Sequence, residues 1–430
     1  MKHIVLISPD NISNKMAGPS IRYWNLANQL SKTFIVDLMT PNDPELTHQN
    51  FKVSRYSKKY IKKNANQIDA IIIQGLTLFK NPYLKYTGIP LVVDLYDPFV
   101  LEMLEERESE STYKVDLEIL LEQVRCGDHF LCASEKQRDF WIGLFVASGK
   151  VNVKKIRRDR SLKETIGIVP FGLESSDPVV TYNPFEKYVN KKVILWGGGL
   201  WDWLDPITLL KAFKILNEKR DDLILFFMGT KHPNELVAEK KVVSEMKKLI
   251  DQINLDKEIV IFNEWVPYNE RQSYYKNAAI AVTTYFDNLE TRFSFRTRVL
   301  DFIWCDLPMV LTKGDTLSTM IEDNGCGLAL NPQDELELVS ALEKLLDDEE
   351  FYDQCKKNIR NIKNDFFWEK AVKDLITICE NPQKEHYGFW DILNERFLEI
   401  KLKIQFSTVK IPILFKKNAF KKVISFIKGV

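Results

Sequence analysis

Several features are scarce in this chain. Six cysteines among 430 residues form no C-x-x-C pair. That density excludes a disulfide framework and leaves buried free thiols in a reducing compartment as the expectation. Seventeen glycines and 17 prolines are too few for a fibrous or low-complexity protein. No apolar run approaches the roughly 18–20 residues of a membrane span. The apolar run after Met1-Lys2-His3 ends at Pro9, too short for a signal peptide, so the body of the chain is expected in the cytoplasm. There are five histidines and no D-x-D triplet. Net charge is also absent, with 60 Lys+Arg against 60 Asp+Glu. That balance is uneven along the chain: residues 400–430 hold eight lysines and no acid, which leaves 52 bases and 60 acids before them.

What is present is a rhythm. Short apolar runs at His3–Ser8, Phe34–Met39, Asp69–Gln74, Pro90–Tyr96, His129–Ala133 and Ile166–Pro170 alternate with amphipathic helical patterns such as Ser20–Ser31 and Glu135–Ala147. Ser175–Lys191 breaks it with two prolines and no periodicity, as a linker does. The rhythm resumes with strands at Lys192–Trp196, Leu223–Met228, Glu258–Phe262, Ile280–Tyr285 and Pro308–Thr312. Helical patterns lie near Pro206–Glu218, Glu235–Ile253, Asn269–Ala278, Thr297–Cys305, Glu335–Leu346 and Glu350–Glu380. Continuously apolar strands separated by helices predict parallel sheets covered on both faces. The expected fold class is therefore α/β, with two doubly wound Rossmann-like domains, 1–178 and 192–382, facing a cleft, and a basic amphipathic tail over 383–430. Ligands of such sheets bind beyond the carboxyl ends of the strands, so the loops there are where chemistry is sought.

Four loops stand out. Gly18-Pro19-Ser20-Ile21-Arg22 opens a helix after the first strand; Ser20 as a cap and free N–H groups suit an anion, although a plain strand–helix turn explains it too. Asp94-Leu95-Tyr96-Asp97-Pro98 ends a strand; Asp97 there is either a helix cap or a group that takes a proton or holds sugar hydroxyls. Gly197-Gly198-Gly199 lets backbone N–H groups approach a phosphate, with Trp201 and Trp203 as core or cleft wall. The run from Glu290 to Asp301 carries Arg292, Arg296 and Arg298. Three guanidinium forks suit a diphosphate and Asp301 suits ribose hydroxyls; an Arg298–Asp301 ion pair at helical spacing is the structural alternative. His232, after the Leu223–Met228 strand, is a structural cap or a cleft residue.

At this last cluster the chain resembles the retaining GT-B glycosyltransferases of family four. Asp301-Phe302-Ile303-Trp304-Cys305-Asp306-Leu307-Pro308-Met309-Val310 matches that family's second acid and the stretch after it, and Glu290 matches the first acid. Gly18 and Arg22 match the first glycine-rich loop, Val169-Pro170-Phe171-Gly172-Leu173 the stretch before the linker, and Trp265-Val266-Pro267 the base-side loop. The resemblance spans about residues 1–380. It implies transfer of a sugar from a nucleotide-sugar donor, with retained configuration and no metal or other cofactor, in cell-surface polysaccharide biosynthesis. Together with the loops read above, it leads to the expectation of Asp97 and Glu290 at the reaction, and of Gly18, Arg22, Gly198, Gly199, Trp203, His232, Val266, Arg292, Arg296, Arg298 and Asp301 around the donor. The family's loop Arg and Lys after the first strand of the second domain are missing here, so Arg296 or Arg298 is expected to supply the charge.

Phe415, Ala419, Val423 and Ile427 recur at four-residue spacing among the tail lysines. This is an interfacial pattern, suited to the anionic inner face of the cell membrane and to a saccharide or lipid-linked acceptor held there. No arginine occurs after residue 400, and no nucleic-acid partner is expected. Two other readings are a sugar-nucleotide epimerase of the same fold and a non-catalytic subunit of a polysaccharide-assembly complex.

Overall fold

The computed structural model describes residues 1–14, 16–106, 109–231, 240–385 and 395–406. The first sheet contains β1 (His3–Ile7), β2 (Ile35–Thr40), β3 (Lys52–Arg55), β4 (Ala70–Gln74), β5 (Leu91–Asp94), β6 (His129–Cys132) and β7 (Ile166–Ile168), in the order β3-β2-β1-β4-β5-β6-β7. The second contains β8 (Lys192–Gly199), β9 (Leu223–Gly229), β10 (Val260–Phe262), β11 (Ile280–Thr283), β12 (Met309–Thr312) and β13 (Gly327–Leu330), in the order β10-β9-β8-β11-β12-β13. Every pairing in both is parallel, as between Ile4 and both Val36 and Ala70. Helices cover both faces, so all of β4 and all of β9 are buried. The order reverses between β1 and β4 in one sheet and between β8 and β11 in the other. These two reversals open a crevice at the carboxyl ends of their strands.

The eleven expected strands are present, and the structure adds β3 and β13 at sheet edges. The pattern over Glu350–Glu380 is not one helix. Helix Glu349–Lys363 stops, a short turn comes next at Asn364–Phe366, and helices resume at Trp368–Ala371 and Lys373–Glu380. The reason is a second crossing between domains. Leu173 and Phe367 form an isolated bridge, Trp368 packs on Phe171 at 5.0 Å, and Asp374 Oδ2 accepts from the backbone N–H of Ile168 at 2.8 Å. The described residues 367–382 thus pack on the first domain, though the sequence reading gave them to the second. Residues 175–191 form the first crossing, without helix or strand. The helix near Glu235–Ile253 is described as Lys241–Gln252. All six cysteines are buried and free. The tail pattern at Phe415–Ile427 lies outside the described residues.

Candidate active site

A cavity of about 570 Å³ lies between the two sets of strand ends. From the first domain it is lined by Gly18, by Tyr96, Asp97 and Glu102 after β5, and by Phe171–Glu174 after β7. From the second come Gly198, Gly199, Trp201 and Trp203 after β8, Trp265 and Val266 after β10, and Arg271, Glu290, Arg296, Arg298 and Asp301.

The glycine loop has a steric basis. A Cβ on Gly197 would stand 2.7 Å from the Phe302 ring and 3.0 Å from Tyr275, and Gly198 has φ of +77°. The space beside Gly198 is held by Arg298, whose guanidinium carbon is 3.7 Å from where a Gly198 Cβ would sit. Arg298 Nη2 donates to the Gly199 carbonyl at 3.1 Å, and its buried Nη1 makes no hydrogen bond. No carboxylate among the described residues pairs with it. Burial, and then the neighbouring Arg296 charge, lower its pKa to about 10, so it stays charged at neutral pH. A part-buried cation without a counter-ion carries a desolvation cost, and an arriving anion relieves it.

The other arginines are committed. Helix Leu289–Phe293 is capped by Asn288, whose side chain accepts from the Thr291 N–H. This presents Glu290 to Arg296, which donates to its two oxygens at 2.9 and 2.6 Å. The pair is 3% and 7% exposed. Arg296 also lies 4.7 Å over the Tyr285 ring and 3.9 Å from Asp315. Asp301 Oδ1 accepts from Arg271 Nε at 3.0 Å, with the Arg271 guanidinium 3.8 Å over Tyr268 and 4.7 Å over Trp304. The partner of Asp301 is therefore Arg271, and the Arg298–Asp301 ion pair does not form. Trp203 stacks on Trp201 at 5.0 Å, and Lys240 stands 4.5 Å over the Trp201 ring.

Across the cavity, Asp97 and Glu102 are hydrogen-bonded to each other. Burial pushes the Asp97 pKa up to about 6 and that of Glu102 well above the usual carboxylate range, with the Glu290 charge adding to both. The pair therefore holds a proton close to neutral pH. Because the folded state binds the Asp97 proton more tightly than the unfolded chain does, that carboxyl's contribution to stability declines as pH rises from about 4 through about 6. Asp97→Asn should stabilise the protein at pH 7.5, by on the order of 1 kcal/mol, and give no gain at pH 4. Melts of both proteins at the two pH values check this; an equal gain at both would contradict it.

Two of the expected donor contacts, Arg22 and Arg292, are not in place. Arg22 is fully buried: Nε and Nη2 donate to the Asp94 carboxylate at 2.7 and 3.0 Å, Nη1 to the Pro170 carbonyl at 3.1 Å and Nη2 to that of Val169 at 2.8 Å. It braces the ends of β5 and β7 against helix Gly18–Leu30 and does not line the cavity. Arg292 is exposed, 5.8 Å from the Phe293 ring, and does not line it either. His232 lies outside the described residues. Ser20 is not a cap: the helix starts at Gly18 after Ala17, and the buried Ser20 hydroxyl makes no hydrogen bond. Asp97, Gly18, Gly198, Gly199, Trp203, Val266, Glu290, Arg296, Arg298 and Asp301 all meet at the cavity. Sequence reading missed Glu102 and Arg271. Neither had a local signal: Glu102 stands five residues after Asp97, outside the i,i+3 and i,i+4 spacings that put two side chains on one helix face, and Asp97 precedes the helix Phe99–Glu106.

Residues 183–362 match the family model for glycosyl transferases group 1, and that stretch is a glycosyl transferase group 1 domain. Among solved structures, the chain is similar to sucrose-phosphate synthase from Thermosynechococcus elongatus, with 16% identity and a TM-score of 0.65 over 88% of this chain and 98% of that one. It is similar to Anabaena HepE in complex with UDP-glucose, with 14% identity and a TM-score of 0.62 over 88% and 99%. It is also similar to WaaG, a glycosyltransferase involved in lipopolysaccharide biosynthesis, with 13% identity and a TM-score of 0.59 over 89% and 100%. No curated protein sequence matches the chain. The two parallel sheets are those of the GT-B fold.

Proposed function

We propose that this protein is a glycosyltransferase that moves a sugar from a nucleoside-diphosphate donor to a saccharide or lipid-linked acceptor, with retention of configuration, in the assembly of a cell-surface polysaccharide. The observation that carries the donor reading is Arg298: a part-buried guanidinium whose buried Nη1 makes no hydrogen bond, beside a glycine loop, with no carboxylate partner among the described residues. A diphosphate seated there accepts from its free N–H groups and from the loop backbone. Asp301, oriented by Arg271, receives ribose hydroxyls, and Trp265 and Val266 wall the base. HepE was crystallised with UDP-glucose, so uridine diphosphate is the first ligand to try here.

In the transfer, the bond from the anomeric carbon to the diphosphate oxygen breaks and one to the acceptor oxygen forms on the same face. The acceptor's proton passes to the departing phosphate oxygen. Arg298 and the Gly198–Gly199 backbone stabilise the charge that grows on the leaving group. Glu290, its charge already shared with Arg296, orients that arginine's helix entrance and faces the sugar as a fixed anion. Asp97 with Glu102 receives the acceptor side. The lysines of residues 400–430 hold the protein at an anionic membrane on its cytoplasmic face; no helix among the described residues is long and apolar enough to cross one.

A nucleoside diphosphate that binds only the folded protein at 100 times its Kd adds about 2.7 kcal/mol of stability. A thermal-shift series with uridine, guanosine, adenosine and thymidine diphosphates should therefore show a rise of several degrees with at least one. No rise with any of them would overturn the donor reading. With the donor in hand, NMR of the product's anomeric proton tests retention, and an inverted anomer contradicts it.

A further inference from the structure

The described chain ends on a helix, 395–406, that packs on the first domain through one face. Arg125 Nε donates to Glu395 at 2.5 Å, Lys85 lies 3.5 Å from Glu399, Leu402 is 4% exposed against Val115 and Ile119, and the Phe406 ring is 4.8 Å from Phe79. Positions 395, 399, 402 and 406 fall at helical spacing, so they form a single stripe. A docked surface helix is expected to be polar on its other side. This one is not. Phe397 is 68% exposed, Ile400 59% and Ile404 59%. At roughly 100° per residue these three fall within about 60° of one another and opposite the docked stripe. Arg396 and Lys403 flank them on one side and Lys401 on the other.

An exposed apolar stripe bordered by cations has a restricted set of partners. Twofold pairing of this face with a second copy would bring like-charged borders together. An acidic protein surface would satisfy the cations and leave the aromatic and aliphatic side chains against polar groups. A bilayer with anionic headgroups satisfies both at once: the stripe enters the acyl boundary while the cations stay at the phosphates. The chemistry continues in sequence, since residues 401–430 carry eight lysines and no acid.

We propose that Phe397, Ile400 and Ile404 form a wedge that inserts into an anionic lipid surface, with Arg396, Lys401 and Lys403 at the headgroups. This rests on the peripheral-membrane reading above and locates its contact. Because the helix is fastened to the first domain by Glu395, Glu399 and Leu402, the membrane holds that domain.

The test uses the full chain and phosphatidylcholine vesicles with or without phosphatidylglycerol, in the absence of any donor. Phe397→Ser/Ile400→Ser should lower the partition coefficient onto anionic vesicles at least about tenfold, although all residues after 406 are intact. Its melting temperature and its shift with nucleoside diphosphate should match wild type. Unchanged partition would overturn the wedge, because the residues beyond 406 would then suffice. Wild-type protein that sediments as a dimer, and becomes monomeric in the double variant, would overturn it in favour of a second copy. A labelling experiment reads the same point without weakening the surface. All six native cysteines are buried, so Ile400→Cys accepts an environment-sensitive dye selectively. Its emission should shift to the blue on adding anionic vesicles, while dye on Glu218→Cys in the second domain should not shift; no shift at either site overturns the proposal. Failure of the donor reading would appear in the diphosphate melts alone, and failure of the wedge in the vesicle measurements alone.

Discussion

Replacing Arg298 with alanine is expected to lower kcat/KM by on the order of 10²–10³, the usual loss when one preorganised donor to a developing charge is removed. The melting temperature should hold or rise slightly. These two outcomes have one cause. Arg298 is part-buried beside another cation, with its pKa depressed to about 10 and one buried terminal nitrogen making no hydrogen bond. In the empty protein that arrangement is unfavourable, and removing the charge relieves it. With a diphosphate present it becomes a charge-assisted pair in a site with little water. Loss of activity without loss of stability is the signature of a group held in strain for binding. Arg298→Lys should recover only part of the loss, because an ammonium supplies the charge without the planar fork. If Arg298→Ala kept wild-type kcat/KM, the diphosphate would have to be held elsewhere.

Arg22→Met should behave in the opposite way. It removes a guanidinium that is fully buried against Asp94 and two backbone carbonyls. The change leaves a buried carboxylate with no cation and two carbonyls that lose a donor. Breaking a buried pair from one side costs about 3–5 kcal/mol, and the melting temperature should fall by on the order of 10 °C. The double variant Arg22→Met/Asp94→Leu should cost less than the sum of the two single changes, because it leaves no uncompensated charge. Protein that stays folded should bind nucleoside diphosphate with nearly wild-type affinity. A large affinity loss with little change in stability would return Arg22 to the donor site.

These two arginines show where sequence reading reaches its limit. Both lie downstream of strand ends, and that placement was legible because runs such as residues 70–73 and 223–228 are apolar throughout. What each arginine touches was not. The partner of Arg22 is 72 residues away, and the partner of Asp301 is Arg271, on a preceding helix whose approach no local pattern records. Helical spacing favoured Arg298 for Asp301, and tertiary packing overrode it. The Glu290–Arg296 pair spans the end of one short helix and the turn into the next, where neither helix nor strand periodicity applies. The missed strands have similar causes. Lys52–Arg55 is a half-exposed edge strand with one apolar residue, and Gly327–Leu330 is four residues opened by a glycine that packs against the Met309 backbone. The helix read over Glu350–Glu380 kept its amphipathic pattern on both sides of the crossing at Phe367, so the pattern concealed the break.

The central claim is that the Gly198–Gly199 loop and Arg298 together form a diphosphate site. Calorimetric titration of wild type and Arg298→Ala with a nucleoside diphosphate and with the corresponding monophosphate tests it directly. Wild type should bind the diphosphate at least about tenfold more tightly than the monophosphate, and Arg298→Ala should bind the two nearly equally. If the substitution weakens both ligands by the same factor, or neither, Arg298 does not contact the terminal phosphate and the site is not built as described.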